Sequence, residues 1–304
     1  MIDICKNILM SLTVKKWLYL IVLSLIWGSS YILIKKGLIG LSPIQLGAIR
    51  ILMTTMILFV VGYKSLRGLT KEHWKWLVFT GFVGTFFPSF LFSFSETKID
   101  SSVVAVLNGL TPLFTLLIAF LFFQKKVKHK QVIGVIVGFF GTFLLVAQEF
   151  SIANSGDASY ALLVVIAAFC YGINVNTLKY KLEGVAPMAI ALANFIAISI
   201  PALILLLTSD FPWTSFYKTP LVLESLGYIL ILSMFGTAFA KVLFNQLLSF
   251  SSAVFSISIT YLLPIVAIAW GVFDGETFGG IQYLASLFIL LGIYLVTETK
   301  KTKE

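Results

Sequence analysis

Residues 17–37 read Trp-Leu-Tyr-Leu-Ile-Val-Leu-Ser-Leu-Ile-Trp-Gly-Ser-Ser-Tyr-Ile-Leu-Ile-Lys-Lys-Gly, with no charge before Lys35. A helix rises about 1.5 Å per residue, so such a run covers about 30 Å, the thickness of a bilayer's hydrocarbon core. The run is apolar on every face, whereas a barrel strand would alternate over about ten residues. It is too long for a signal-peptide core and no small-residue cleavage site follows it, which predicts a retained first helix. Comparable stretches follow at 43–63, 74–94, 101–123, 131–148, 159–180, 187–208, 223–247, 251–273 and 280–297. The fold expected is therefore an all-α membrane protein of ten transmembrane helices. Composition agrees: 12% of the 304 residues are charged and 59% hydrophobic, against about 25% charged in soluble domains.

An internal repeat organises these spans. Trp27-Gly28, Lys35, Pro43 and Arg50 correspond to Tyr171-Gly172, Lys179, Pro187 and Asn194 at one constant offset of 144. Gly84-Thr85 and Pro112 correspond to Gly236-Thr237 and Pro264 at an offset of 152, and Gly141 to Gly292 at 151. The chain divides into two five-helix repeats, 1–148 and 159–304, joined by a polar connector at 149–158. Five crossings per half is an odd number, so the second copy enters the membrane from the opposite side. Inverted repeats of this kind let one protein adopt inward-open and outward-open shapes of comparable energy.

The net charge of +9 is spread in short clusters between apolar runs, a pattern of topology rather than of nucleic-acid binding. Sixteen of the twenty-two Lys and Arg fall in the termini and in loops on one side. Lys35, Lys36, Lys98 and Lys218 fall on the other, and Arg50 and Lys241 lie within spans. Because basic residues are retained in the cytoplasm, both termini are expected there, in a multi-pass protein of the inner (plasma) membrane. Monomer and homodimer both stay open.

Catalysis has little support. Cys5 and Cys170 offer no disulfide framework or metal site. His73 and His129 lie in basic loops, and no nucleophile has a base at helical spacing. A Gly-rich phosphate loop is absent, so neither ATP nor any other cofactor is expected. No Asp or Glu lies near the centre of a span, and Glu96 closes the third helix, so a buried carboxylate of the sort that carries protons is not expected either.

The residues that could hold a solute are polar or aromatic groups placed inside spans. Lys241 lies deep in the eighth helix with Asn245 one turn on, on the same face; its counter-charge is either an anionic substrate or the water of a vestibule. Arg50, about two turns into the second helix, either snorkels outward, bonds carbonyls at a helix interface or serves the site. Trp27 and Tyr31 stand one turn apart near the middle of the first helix, with Tyr171 and Asn174 at the equivalent stretch of the sixth. Asn108, Asn176 and Tyr261 add polar groups that are costly in lipid and should face inward. Pro112 and Pro264 interrupt corresponding helices, the fourth and ninth, and such paired interruptions point to a transporter's binding site and moving parts.

These features together resemble the EamA-type members of the drug/metabolite transporter superfamily. The resemblance rests on the repeat, on Trp27-Gly28-Ser29-Ser30 followed by Lys35, Pro43 and Arg50, on Pro112, and on Gly134, Gly138, Gly141 and Gly292 in the fifth and tenth helices. Gly275-Glu276 matches the acidic residue usual before the last helix, whereas the first half has Gln124-Lys125. The resemblance implies a secondary transporter exporting amino acids or related small metabolites through a central cavity lined by helices one, three, four, six, eight and nine. Relatives with other substrates keep a multidrug, purine or nucleotide-sugar carrier as the alternative. A non-transporting scaffold or sensor is the alternative of a different class, and the short loops argue against it. The partners expected are a small-molecule substrate and the lipid bilayer.

Overall fold

The computed structural model describes residues 2–124, 128–152, 159–276 and 279–297. Among the described residues all regular structure is helical. In chain order the rods are α1 (Ile2–Gly37), α2 (Pro43–Gly62), α3 (Lys71–Ser95), α4 (Ser101–Phe123), α5 (His129–Ile152), α6 (Ser159–Lys181), α7 (Pro187–Leu207), α8 (Pro220–Phe250), α9 (253–273) and α10 (Gly280–Thr297). Helix starts are encoded locally. The Ser42 hydroxyl accepts from the Gln45 N–H at 3.3 Å while the Gln45 side chain accepts from the Ser42 N–H at 3.0 Å, with Pro43 at the first helical position. Thr70 and His73 form the same reciprocal cap at α3.

Among the described residues seven helices are long and apolar enough to cross a membrane: Val14–Gly37, Pro43–Leu66, α3, α4, α6, α7 and α8. Shorter apolar helices are Leu263–Phe273 in α9 and Tyr283–Gly292 in α10. The run expected at 251–273 is split because the 3-10 turn Ser258–Tyr261 stands between Ala253–Ile257 and Leu263–Phe273. Large apolar side chains such as Val60, Phe122, Ile200 and Phe273 point outward, which suits lipid and would be a liability in water.

The rods pack in pairs that exchange when the two halves are swapped. α2 lies on α7 and α5 on α10, each helix against its own repeat mate. α1 lies on α9 as α6 lies on α4, α1 on α8 as α6 on α3, and α2 on α8 as α7 on α3. Glycines mediate the closest approaches, as expected where lipid supplies no hydrophobic drive and packing must come from backbone proximity. A methyl on Gly28 would collide with Val266 of α9, and one on Gly172 with Phe114 of α4. Val266 and Phe114 are themselves repeat mates at the 152 offset. Between α5 and α10 a methyl on Gly292 would run into the backbone of Gly134 and Gly138.

Four rods depart from α-geometry, again in matched pairs. α3 contains the π-helical turn Phe82–Phe86 and α8 the π-helical turn Leu232–Phe239. α4 contains the 3-10 turn Asn108–Leu110 and α9 the turn Ser258–Tyr261, each placed just before Pro112 or Pro264. A proline in the first turn of a helix needs no i−4 partner, so each α-helix restarts cleanly at its proline. The interruptions inferred from the prolines are thus present, and the two π-helical turns are additional.

Candidate functional site

The interrupted turns surround one central cavity of about 90 Å³. At about 15 Å³ per water-sized occupant it holds roughly six such atoms, the scale of a small solute. α1 contributes Trp27, Ser30 and Tyr31; α2 Arg50; α3 Gly84, Thr85, Ser89 and Phe92; α4 Asn108; α6 Tyr171 and Asn174. α8 contributes Gly236, Thr237, Lys241 and Phe244, and α9 Thr260 and Leu263.

The π-helical turns explain how two of these side chains are held. Gly84 and Gly236, repeat mates, sit in the wide turns of α3 and α8, and the carbonyl of each accepts a side-chain donor from across the bundle. Lys241 Nζ donates to Gly84 O at 2.8 Å, and Trp27 Nε1 donates to Gly236 O at 2.9 Å. A π turn widens the i→i−4 ladder and frees a carbonyl for such use. The glycine also lets the partner approach: a methyl at Gly84 would collide with the Asn174 amide, and one at Gly236 would press on the Ser30 hydroxyl. Ser30 and Asn174 are repeat mates too.

Aromatic walls follow the same rule. Trp27 packs on Phe244 with ring centroids 5.3 Å apart, and Tyr171 stacks on Phe92 at 5.9 Å; Phe92 and Phe244 are mates at the 152 offset. Tyr31 accepts from Asn108 Nδ2 at 2.8 Å, and Asn108 Oδ1 accepts from Thr111 Oγ1 at 2.9 Å, so the 3-10 turn of α4 is tied to α1. Arg50 Nε donates to Thr237 Oγ1 at 2.9 Å, bridging α2 to the π turn of α8. Among the described residues the lining therefore holds two basic side chains, Arg50 and Lys241, and no Asp or Glu.

The two ends of the cavity differ. At one end Lys35 Nζ lies 2.8 Å from Glu276 Oε1 and 3.0 Å from Asp274 Oδ2, and Lys36 also pairs with Asp274. Glu276 further accepts from Ser101 Oγ at 2.8 Å and Ser102 Oγ at 2.6 Å, capping the start of α4. This latch joins α1, α4 and the segment after α9. Hydrogen bonding from Lys36, then Lys35, holds the Asp274 carboxyl below its ordinary range. Burial pushes Glu276 upward, but hydrogen bonds from Lys35, Ser102 and Ser101 outweigh it and leave that carboxyl low as well. At the other end Lys179, the mate of Lys35, donates among the described residues to carbonyls, Leu248 O at 3.0 Å and Ser251 O at 2.9 Å. A second cavity of about 250 Å³ lies there, lined by Lys179, Glu183, Pro187, Asn245 and Ser249 among others.

Six of the residues singled out in the sequence meet at the central cavity: Trp27, Tyr31, Asn108, Tyr171, Asn174 and Lys241, joined by Arg50. Asn245 does not. Its amide donates to Pro187 O at 3.3 Å and faces the second cavity, because the Lys241 side chain turns across to α3 while Asn245 lies against the start of α7. Pro112 and Pro264 stand behind the 3-10 turns rather than on the wall. Asn176 bonds Thr115 O and Gly172 O between α4 and α6, a packing role. The Tyr261 side chain lies outside the described residues. Two groups were missed: the paired Thr85 and Thr237 beside the π-turn glycines, legible in the Gly-Thr repeat, and Glu96. Read as a helix-end residue, Glu96 is only 7% exposed, with neither carboxylate oxygen hydrogen-bonded among the described residues.

Residues 15–147 and 158–298 each match the EamA-like transporter family. The chain belongs to that family. It is a multi-pass membrane transporter of a small-molecule substrate, not an enzyme. This EamA-like chain is 25% identical to an uncharacterised transporter of Archaeoglobus fulgidus, over 94% of itself and 100% of that protein. It is 25% identical to the uncharacterised inner membrane transporter YedA of Escherichia coli, with 92% and 90% covered. A probable amino-acid metabolite efflux pump of Escherichia coli is 22% identical, with 89% and 90% covered. A solved crystal structure shares the fold at TM-score 0.67 and 14% identity, covering 92% of this chain and 95% of that one.

Proposed function

We propose that this EamA-like transporter exports amino acids or closely related metabolites bearing a carboxylate or other anionic group. The observation that carries this reading is the cavity wall, which places Arg50 and Lys241 together with no Asp or Glu among its lining residues. Two basic side chains that no lining carboxylate neutralises raise the affinity for an anion and repel cations. A carrier of cationic drugs would need the opposite. The relative named as an amino-acid metabolite efflux pump favours the same substrate class.

The motion is alternating access between two inverted five-helix halves, 1–148 and 159–304, in ten crossings with both termini cytoplasmic. The exchange symmetry of the helix contacts and the paired π and 3-10 turns favour it. On that orientation the Lys35 latch closes the outer end and the second cavity lies on the cytoplasmic side. Trp27, Tyr31, Asn108, Tyr171 and Asn174 would then hold the solute, while Pro112 and Pro264 let α4 and α9 flex.

Exchange of ¹⁴C-labelled amino-acid hydrolysate in proteoliposomes tests the reading. Wild type should exchange label above protein-free vesicles, and unlabelled carboxylate-bearing competitors should suppress it. Exchange suppressed only by organic cations would transfer the assignment to the multidrug class.

A further inference from the structure

Glu96 ends α3 one residue beyond the span Lys71–Ser95, and it is pinned there because Ser95 Oγ donates to Tyr160 O of α6 at 2.6 Å. Its carboxylate oxygens are buried and have no hydrogen-bond partner among the described residues. A bare ionised carboxylate is not kept in such a place; the group binds a proton instead. Burial pushes the Glu96 carboxyl well above its ordinary range and the neighbouring Glu276 charge adds to this, while Arg50 and Lys35 pull the other way without reversing it.

The surroundings give that proton a consequence. The charges acting on Glu96 are Glu276, Arg50 of α2 and Lys35 of α1. Tyr31, on the cavity side of α1, also interacts with it. Lys98 and Asp100 follow it in the turn to α4, Asp274 lies beyond Lys35, and α6 brings Tyr160 and Tyr171. Lys35 is thus the shared cation between the latch carboxylates, which hold it in this structure, and Glu96, which does not.

We propose that Glu96 is the binding site for a coupling proton, and that its occupancy decides whether Lys35 remains with Asp274 and Glu276. This rests on the transport reading above. With a proton on Glu96 the group is neutral, Lys35 stays in the latch and that end is shut, as seen here. When the proton leaves the carboxyl oxygen for water, the bare carboxylate competes for Lys35, and the latch loosens. By linkage, whatever strengthens the latch raises proton affinity at Glu96, and the reverse holds equally.

The test has two independent arms. Infrared difference spectroscopy of the purified protein, titrated in detergent, should show a protonated carboxyl band at neutral pH that disappears on alkalinisation and is missing in Glu96→Gln. Glu276→Gln should move its midpoint to lower pH, since a like charge is lost and Lys35 is freed, and Lys35→Met should move it to higher pH. In proteoliposomes carrying ¹⁴C-labelled amino-acid hydrolysate, one unit of pH difference supports about tenfold accumulation for one proton per solute. Wild type should accumulate label across that difference, while Glu96→Gln, whose neutral amide leaves Lys35 in the latch at every pH, should accumulate none. A Glu96 carboxyl already ionised at neutral pH, or gradient-driven accumulation undiminished in Glu96→Gln, overturns the proposal. If wild type exchanges no label at all, the amino-acid reading fails while the spectroscopic arm still decides the proton site.

Discussion

The two halves of the chain build the same cavity wall twice and its two ends differently. Around the middle, mates do matched work: Gly84 and Gly236 offer carbonyls from π turns, Trp27–Phe244 and Phe92–Tyr171 form the aromatic pairs, and Gly28 and Gly172 seat α1 and α6 against α9 and α4. At the ends the match stops. Lys35 has two carboxylate partners whereas its mate Lys179 has, among the described residues, carbonyl partners. The sequence reason is two positions: Asp274 and Glu276 in the second half stand where Phe122 and Gln124 stand in the first. On the proposed reading, repetition supplies the binding wall and the capacity to rock, and the departure from repetition supplies a preference for closing one end. A fully symmetric pair of ends would give no such bias, since a state is favoured only by contacts it alone possesses.

The largest expected effect lies in the self-paired helices. A side chain at Gly292 meets the backbone of Gly134 and Gly138, with no flexible group to yield. Gly292→Leu should separate α10 from α5 and lose most monodisperse protein in size-exclusion chromatography. Near-wild-type yield would show that this pair is not a fixed strut.

Next comes the latch. Removing one partner of a buried ion pair costs about 3–5 kcal/mol, but the Lys35 side chain is 32% exposed against 4% for Glu276, so Glu276→Gln should cost nearer about 1–3 kcal/mol by the same rule with solvent screening. The loss should appear as a lower melting temperature and as greater labelling of a cysteine placed at Ser101. The matching change Lys179→Met at the other end should cost less, since no ionised partner is left behind. Equal losses at both ends would remove the asymmetry.

The latch also sets a pH dependence of defined sign. Glu276 and Asp274 are both held below their ordinary ranges, so the stabilisation they give is full above the unfolded carboxylate values of about 4. It is lost as pH falls through the lower folded values. Melting temperature should therefore drop on acidification below about pH 4 in wild type, and less steeply in Glu276→Gln. The smallest effect expected is at Gly84→Ala, where the Asn174 side chain has to move aside; membrane insertion should be normal and exchange of label slowed.

Much of this was legible in the sequence because its signals are local or repeated. The seven long spans among the described residues follow from uninterrupted apolar runs, and the twofold plan from constant offsets between Trp27-Gly28 and Tyr171-Gly172. Pro112 and Pro264 located the broken turns of α4 and α9. The π turns were not legible, because a widened turn changes hydrogen bonding without changing hydropathy. Glycine and threonine at 84–85 and 236–237 marked the spot but not the geometry. Asn245 was misplaced because helical spacing fixes the direction in which a side chain leaves the helix, while the Lys241 stem is long enough to cross to α3. Glu96 reads in the sequence only as the residue that closes the third helix. Its burial, with Lys35, Arg50 and Glu276 as its charged neighbours, is a tertiary fact with no local trace.

The central claim is that Arg50 and Lys241 make the cavity selective for an anionic group. It is tested most directly by comparing, in proteoliposomes, inhibition of label exchange by an amino acid and by its decarboxylated amine, in wild type and in Lys241→Met at matched protein levels. A lost charge-assisted hydrogen bond is worth about 1.5–3 kcal/mol, so Lys241→Met should weaken the amino acid by roughly 10- to 150-fold and leave the amine nearly unchanged. If wild type does not discriminate between the two, or if Lys241→Met leaves the discrimination intact, the cations do not serve substrate recognition and the account is wrong at its centre.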